Sequence, residues 1–526
     1  MKKRKLIAII ATLLTLTLIF GLSSMVFAAG ESELTAFTAD GDGGKRAQEG
    51  ALVLAGPEEP ATLEPNDAQV ITGWVVTSAL YDTLIELDSE TKTYVGVLAE
   101  QCEFTDDTTL LIKVKEGIQF HNGAPLTADD VLFTLERLAA CPRYSTNYVC
   151  IDFENTKLID DYTLEVKLNT PYPALLAYLG HPSAGILCRS YYEEAGEEGL
   201  ARKPIGTGAF VFENWVSGSE VTATRNENYW NTEVPFNYDK LVVKFIPEAN
   251  TRMAEFESNG IDILIDVGNS DIKRMMNLEV EGSTLYRTEG ECIYRICFLG
   301  TDENMQNPLV RQAIISAIDL PGTVAAAYGE TAQFFTSLVP ADCNYYKEMP
   351  AYTYDPEAAK ELLKEAGYEN GLALKTYVAA GSNDAKAGEI IQQMLAEVGI
   401  SLELESTDVM TMIMAEVNGE VPIGLINNTV DSKDPDQGLS NLKAESPFKM
   451  GATSDEALAQ MLNEAAVTVD FEERGALYEA IQDYVYENVC TVPYAVNIVN
   501  YAAKNYIDSC PVSPSGRVDV RYVTFK

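Results

Sequence analysis

"QFHNGAPLTADDVLFTLERL", residues 119–138, decides how this chain is read, because it sets one of only two histidines beside two adjacent aspartates. The five positions after the strand-like "GIQF", "HNGAP", are turn chemistry, since Asn122-Gly123 supplies the positive φ that a tight turn requires. Thr127 then stands at an N-cap position with Asp130 three residues on, and Leu132, Phe133 and Leu135 begin an apolar helix face. Asp129 and Asp130 fall in the first helical turn, where the helix dipole favours negative charge. No serine or cysteine nucleophile is paired with His121 by any motif. The stretch is a turn feeding a capped helix, and the chain is not read as an enzyme from it.

Working outward, the same alternation of strands and helices recurs without internal repeat. "ALVLAG" (51–56), "LLIKVKEGIQF" (110–120), "YTLEVKLN" (162–169) and "KLVVKFI" (240–246) read as strands. "EANTRMAEFESNG" reads as a helix and "IDILID" as the strand after it. The second half carries better-marked helices: Asn307 caps one with Pro308 behind it, and Asp355 caps another with Pro356 next and Gly367 as its stop. Ile390, Ile391, Met394, Leu395 and Val398 share a helical face before the strand "SLELES". Residues 455–489 predict two helices in tandem, with Asp470 and Glu473 spaced as a capping box, and "TVPYAVNIVNYA" returns as a strand. The class is mixed α/β.

Length and charge limit the function. A chain of 526 residues exceeds one small core, so two or three structural units are expected. Its 38 basic and 79 acidic side chains leave a net charge of −41, which repels phosphate backbones and excludes nucleic acid as a partner. "MKKRK", the apolar "LIAIIATLLTLTLIF" and the small residues Val26 and Ala28 form an export signal over 1–28. The apolar run falls short of the roughly 20 residues a spanning helix needs. Residues 29–50, polar and glycine-rich, read as a flexible leader. Nine cysteines in an exported chain permit disulfides, Cys141 with Cys150 among them, or buried free thiols. With two histidines and no CxxC, no metal site is assigned, and no cofactor is implied. Signatures of serine hydrolases, zincins and P-loops are absent.

Several blocks in one order carry a resemblance. "PATLEPNDA" (60–68) is similar to an opening strand and proline, and "ALYDTLIELD" (79–88) to a first helix. Residues 98–138 form the most characteristic block. "PIGTGAFVFENWVSG" (204–218) with "TRNENYW" (224–230), "MAEFESNGIDIL" (253–264), "VRQAIISAID" with "AAAYGE" (310–330), "YDPEAAKELLKEAGY" (354–368) and residues 455–494 continue it. Together they resemble the family-5 solute-binding proteins of ABC-type importers, the group that contains the periplasmic dipeptide- and oligopeptide-binding proteins.

That resemblance implies a two-lobed periplasmic-binding-protein-like fold of type II, cluster C, with mixed sheets, a hinge and an extra subdomain in the first lobe. Lobe 1 would span 51–288, with the subdomain at 81–199, and regain 495–526; lobe 2 would span 289–494. The chain would cross near "TLYRTEGECIYRI" (284–296) and return near "TVPYAVNIVNYA" (491–502). The implied function is extracytoplasmic capture of a short peptide by a monomer, at the periplasm or the outer face of the membrane, and delivery to an ABC-type permease. Peptide-binding members of that family pair the ligand ammonium with an aspartate, which falls here at Asp431 in "INNTVDSKDPDQ". Asn427, Asn428 and Thr429 would offer backbone to a peptide as an added strand, and Ile71, Thr72, Gly73 and Trp74 would face it from the other lobe. Asn428 replaces the family's tryptophan, and "LGT" (299–301) its "F-N-T", so the pocket wall is smaller and more polar. An oligosaccharide, chelated nickel or haem is the alternative ligand. A hydrolase using a carboxylate pair, or a cysteine with His121 or His181, is the alternative of another class, and a sensory role is a third.

Overall fold

In the computed structural model, residues 34–526 are described, save 69, 89–90, 300–301 and 444–454. The export signal lies outside the described residues, as do Gly300 and Thr301.

Two long strands organise the rest. The crossing strand Ser283–Phe298 and the return strand Thr491–Lys504 pair antiparallel along nearly their whole length. At one end they carry Thr35–Thr38 on the crossing strand and Ile263–Leu264 on the return strand. The sheet then continues through Ala51–Gly56, Lys240–Phe245, Glu220–Arg225 and Phe210–Val216. At the other end Ile423–Thr429 pairs with the crossing strand and Ala332–Phe334 with the return strand. Each end has its own apolar core: Leu52, Leu54, Val75, Val76, Leu241 and Val243 at the first, and Ile314, Leu363, Ile391, Leu395 and Leu425 at the second. The molecule is therefore two-lobed, with a shared pair of strands as its waist.

The waist contains a bulge. Glu289 faces Ile498 and Ile293 faces Val496, so residues 290–292 oppose Asn497 alone. A Cβ on Gly290 would lie 2.2 Å from Asn497 Oδ1, so only glycine admits that side chain. Asn497 Oδ1 in turn accepts the Cys292 N–H at 2.9 Å, which the broken ladder leaves unpaired.

A further four-stranded antiparallel sheet, from Ala99–Asp106, Thr109–Val114, Thr163–Lys167 and Lys157–Asp160, packs on the helix Ala128–Ala140 through Leu110, Ile112, Val131, Leu135 and Leu164. Here the quoted stretch finds its place. The Thr127 N–H and hydroxyl both donate to Asp130 Oδ2, at 2.9 Å each, and Asp130 Oδ1 accepts the Arg189 N–H. His121 accepts the Gly206 N–H at Nδ1 (3.3 Å), so Nε2 carries the proton and donates to Gly208 O (3.0 Å). Burial lowers the pKa of His121, which keeps the ring neutral. It is a brace between two loops.

Asp82 explains why the separated blocks belong together. This buried carboxylate accepts from the Thr207 hydroxyl (3.0 Å), the Tyr229 hydroxyl (2.9 Å) and the Trp230 indole N–H (2.9 Å). A Cβ on Gly206 would meet Leu80 O at 2.1 Å, so that loop must close on the end of the helix Ile71–Leu80.

Three expectations need correction. Residues 34–50 are not a loose leader: Thr35–Thr38 completes the first lobe's sheet, Phe37 enters its core, and Asn505 Nδ2 holds Ala39 O and Gly41 O at 2.8 Å. "ALYDTLIELD" is not a helix, because Ile71–Leu80 ends at its second residue and Ile85–Leu87 is a strand. The three donors that need Asp82 draw the chain out of the helix at that point. The Asp470–Glu473 box is only half formed among the described contacts, with Asp470 Oδ1 accepting the Glu473 N–H at 2.9 Å. The caps at Asn307 and Asp355 form as the spacing predicts. All nine thiols are free, Cys141 facing Asn66 O rather than Cys150.

Removing Asp82 would orphan two buried donors, on Thr207 and Tyr229, and a half-buried one on Trp230, each buried donor costing roughly 1–3 kcal/mol. Asp82→Ala is expected to lose about 3–5 kcal/mol in urea unfolding, and Thr207→Val, which removes one donor and keeps the shape, about 1 kcal/mol.

Candidate ligand cleft between the lobes

The bulge aims Glu291 away from the ladder toward the loop after Ile423–Thr429, where the Val430 N–H donates to Glu291 O at 3.0 Å. That loop, residues 430–436, is anchored from below. Arg474, on the helix Phe471–Glu487, makes a two-pronged pair with Asp434, Nη1 to Oδ2 at 2.6 Å and Nη2 to Oδ1 at 2.8 Å, and both side chains are only 4% exposed. Lys433, held at a positive φ of 65°, reaches both Glu291 and Asp342. These pairs leave Asp431 projecting toward the opposite lobe.

There it meets His181. Asp431 Oδ2 lies 3.3 Å from His181 Nε2, and Asp431 Oδ1 accepts from Gln437 Nε2 at 2.6 Å. His181 caps the short helix Pro182–Ala184, with Nδ1 accepting the Ser183 N–H at 3.2 Å. With Nδ1 taken as acceptor, the ring directs its Nε2 hydrogen across the cleft to Asp431. Trp74 sets its ring edge-on to the imidazole at 5.6 Å and spends its own N–H on Ala68 O. Burial alone would raise the Asp431 pKa. The charge and hydrogen bond of His181, the Gln437 amide and the charge of Arg143 outweigh it and hold the carboxyl down at about 2.

Trp74, His181, Glu291, Asp431, Lys433 and Arg517 line one cavity of ≈ 160 Å³. The lobes also touch where the Tyr172 hydroxyl donates to Asp436 Oδ2 (3.1 Å) and where Lys92 Nζ donates to Asp342 O (3.2 Å). The cleft is thus nearly shut, its volume below the roughly 300 Å³ at which small-molecule sites begin.

Of the residues named from sequence, Asp431 and Trp74 share this cavity. Thr72 is fully buried, with its hydroxyl against Gly56, and Gly73 packs on Pro60; both are drawn into the first lobe because they lie on the helix face that covers its sheet. Ile71 packs beneath Gly516. Asn427, Asn428 and Thr429 sit in the strand opposite Tyr294, Ile293 and Cys292, outside the cavity lining. The Asn427 side chain bonds Asp384. Sequence reading missed Glu291, Lys433 and Arg517 as cleft residues and met His181 only as a hypothetical catalytic partner. Lys433 was visible beside Asp431; nothing in the sequence pointed to Arg517.

Two lobes joined by paired crossing strands, with a charged cavity where they meet, define a solute-binding protein that closes around its ligand. Residues 93–449 match the model of the bacterial extracellular solute-binding proteins, family 5, and the chain belongs to that family. It is 28% identical over 472 residues to the glutathione-binding protein GsiB of Shigella dysenteriae, covering 86% of this chain and 90% of that one. It is 27% identical over 467 residues to heme-binding protein A of Haemophilus influenzae, covering 82% and 84%. The solved structure of HbpA2 from Haemophilus parasuis superposes with a TM-score of 0.82 at 25% identity, over 90% of this chain and all of that one.

A folded-state pKa near 2 lies below the ordinary carboxyl value of about 3.9, so Asp431 contributes stability that is complete above about pH 4 and lost as pH falls through 2. Urea unfolding of the wild type between pH 5 and 2.5 is expected to include about 2 kcal/mol from this group. Asp431→Asn should lack that component.

Proposed function

We propose that the protein captures a short peptide between its lobes, with Asp431 pairing the ligand's α-ammonium group, and delivers it to an ABC-type import permease. The carrying observation is the state of Asp431: an ionised carboxylate in the cleft whose present partner is an N–H from the facing lobe. His181 occupies the place an ammonium group would take. A ligand ammonium group brings a full charge and three N–H donors where the imidazole offers this carboxylate a single N–H, so exchange favours the ligand in a water-poor cleft. A peptide is also the class to which glutathione, named for the relative GsiB, belongs.

In this reading lobe 1 comprises 51–288 with 495–526, its subdomain 81–199, and lobe 2 comprises 289–494. The chain acts as a monomer outside the cytoplasmic membrane, after removal of residues 1–28, and performs no chemistry on its ligand. Asn427, Asn428 and Thr429 are kept as the strand along which peptide backbone would lie once the lobes open, with Trp74 as the facing wall. The polar, charged lining favours a peptide over the haem of the relative from Haemophilus influenzae.

A thermal-shift series on residues 29–526 tests this with di- to pentapeptides, their N-acetylated forms, haem, nickel chelates and oligosaccharides. Free peptides should raise the melting temperature with concentration, and N-acetylation should abolish the rise. Asp431→Asn should weaken peptide binding by roughly 2–5 kcal/mol. A rise with haem, chelates or sugars alone would overturn the peptide assignment.

A further inference from the structure

The amine anchor accounts for one pole of the cavity, and Arg517 stands at another. A tight hairpin, closed by the bridge between Val512 and Val518 and by the Ser513 N–H to Arg517 O bond (3.0 Å), fixes its backbone. Its Nη1 donates to Ser78 Oγ at 2.9 Å on the helix Ile71–Leu80. Among the described residues Arg517 makes no ion pair. Three other cations around the cleft do: Arg521 pairs with Asp519, Arg474 with Asp434, and Lys433 with Glu291 and Asp342. Asp519, the nearest acid along its own loop, is already taken by Arg521 through two hydrogen bonds of 2.9 and 2.7 Å. An unneutralised guanidinium enclosed by protein is costly, and folding retains one only against a compensating partner.

Arg295 provides the contrast. It too lacks a partner, but it is sealed in the second lobe, whereas Arg517 opens onto the ligand cavity with Ser513 and Ser515 beside it. The same cavity holds an orphan of opposite kind. Glu291 spends Oε1 on Lys433, and its buried Oε2 has no hydrogen-bond partner. The lining thus offers acceptors at Asp431, Glu291 and Glu86, the last attracting Arg517 without forming an ion pair with it, and an open fork of donors at Arg517.

We infer that Arg517 is the seat of a ligand carboxylate, so that the cleft selects compact zwitterions, short peptides with both termini free, over their amides. The inference rests on the peptide reading and adds its second pole. An arginine fork binds a carboxylate through two parallel bonds, which a lysine cannot reproduce.

Isothermal titration of residues 29–526 with one peptide as free acid, C-terminal amide and N-acetyl derivative tests it. The acid should bind roughly 10- to 100-fold tighter than the amide, the range of a charge-assisted hydrogen bond. Arg517→Gln should erase that preference, and Arg517→Lys should restore part of it. The unliganded Arg517→Gln protein should melt at or above the wild type, because an unpaired buried charge has gone. Equal binding of acid and amide by the wild type, with loss on N-acetylation, overturns the inference and leaves the peptide reading standing. An acid preference with indifference to N-acetylation sustains Arg517 and removes the amine anchor. Absence of binding by any form overturns both. A lower melting temperature for Arg517→Gln with the acid preference intact would assign Arg517 to the framework and overturn the inference.

Discussion

The antiparallel pairing of Ser283–Phe298 with Thr491–Lys504 is the interaction on which the rest of the molecule depends. Each lobe hangs its own strands on one end of this pair and closes its own core around them. A continuous ladder would make the waist stiff. The slip at residues 290–292 is one of two in the ladder, and there the amide of Asn497 fills the gap left by Gly290 and keeps the backbone donor satisfied. Relative motion of the lobes then requires dihedral changes in a few residues and no exposure of either core. The same bulge turns Glu291 into the cleft, so the break in the ladder and the cavity lining share a residue.

The buried charges of the second lobe serve position more than stability. The pair between Arg474 and Asp434 is fully enclosed, and an apolar replacement of the whole pair would cost little by general experience. What it provides is direction: a loop tied by two parallel hydrogen bonds to a long helix has one orientation, and Asp431 inherits it. His181 is held in the same way from the other side by its own cap, with Trp74 against its face. Two rigid mounts therefore bring a donor and an acceptor to 3.3 Å across a gap that neither lobe spans alone. In a chain of net charge −41 this local balance of Asp431, Glu291, Lys433 and Arg517 matters more than the overall sign.

Much of the frame is legible one segment at a time. Caps at Asn307 and Asp355, the turn before Thr127 and the alternation of 109–114 are decided by residues within a few positions of each other, and the fold reproduces them. Reading failed where a distant group decided the outcome. Thr35–Thr38 looked like a tail because its partner, the crossing strand, lies far along the chain. Residues 79–88 looked helical because the donors that claim Asp82 come from Thr207, Tyr229 and Trp230. Thr72 and Gly73, aligned with a peptide-contacting segment of the family, lie outside the cavity that Trp74 lines, because a helix sends successive residues to different faces.

By itself the sequence determined the α/β class, the capped helices, the two crossing segments, the resemblance to a solute-binding family and the aspartate at its centre. These rest on local spacing and on blocks whose order survives in the chain. The tertiary structure decided which groups face Asp431. His181, Glu291 and Arg517 come from three separate parts of the chain, and only the packing of two lobes around a shared pair of strands brings them to one cavity. Spacing along a chain carries the 3.6-residue and 2-residue periods of helix and strand, but it carries no distance between a terminal hairpin and a cleft. That distance is set by the sum of all the contacts in between.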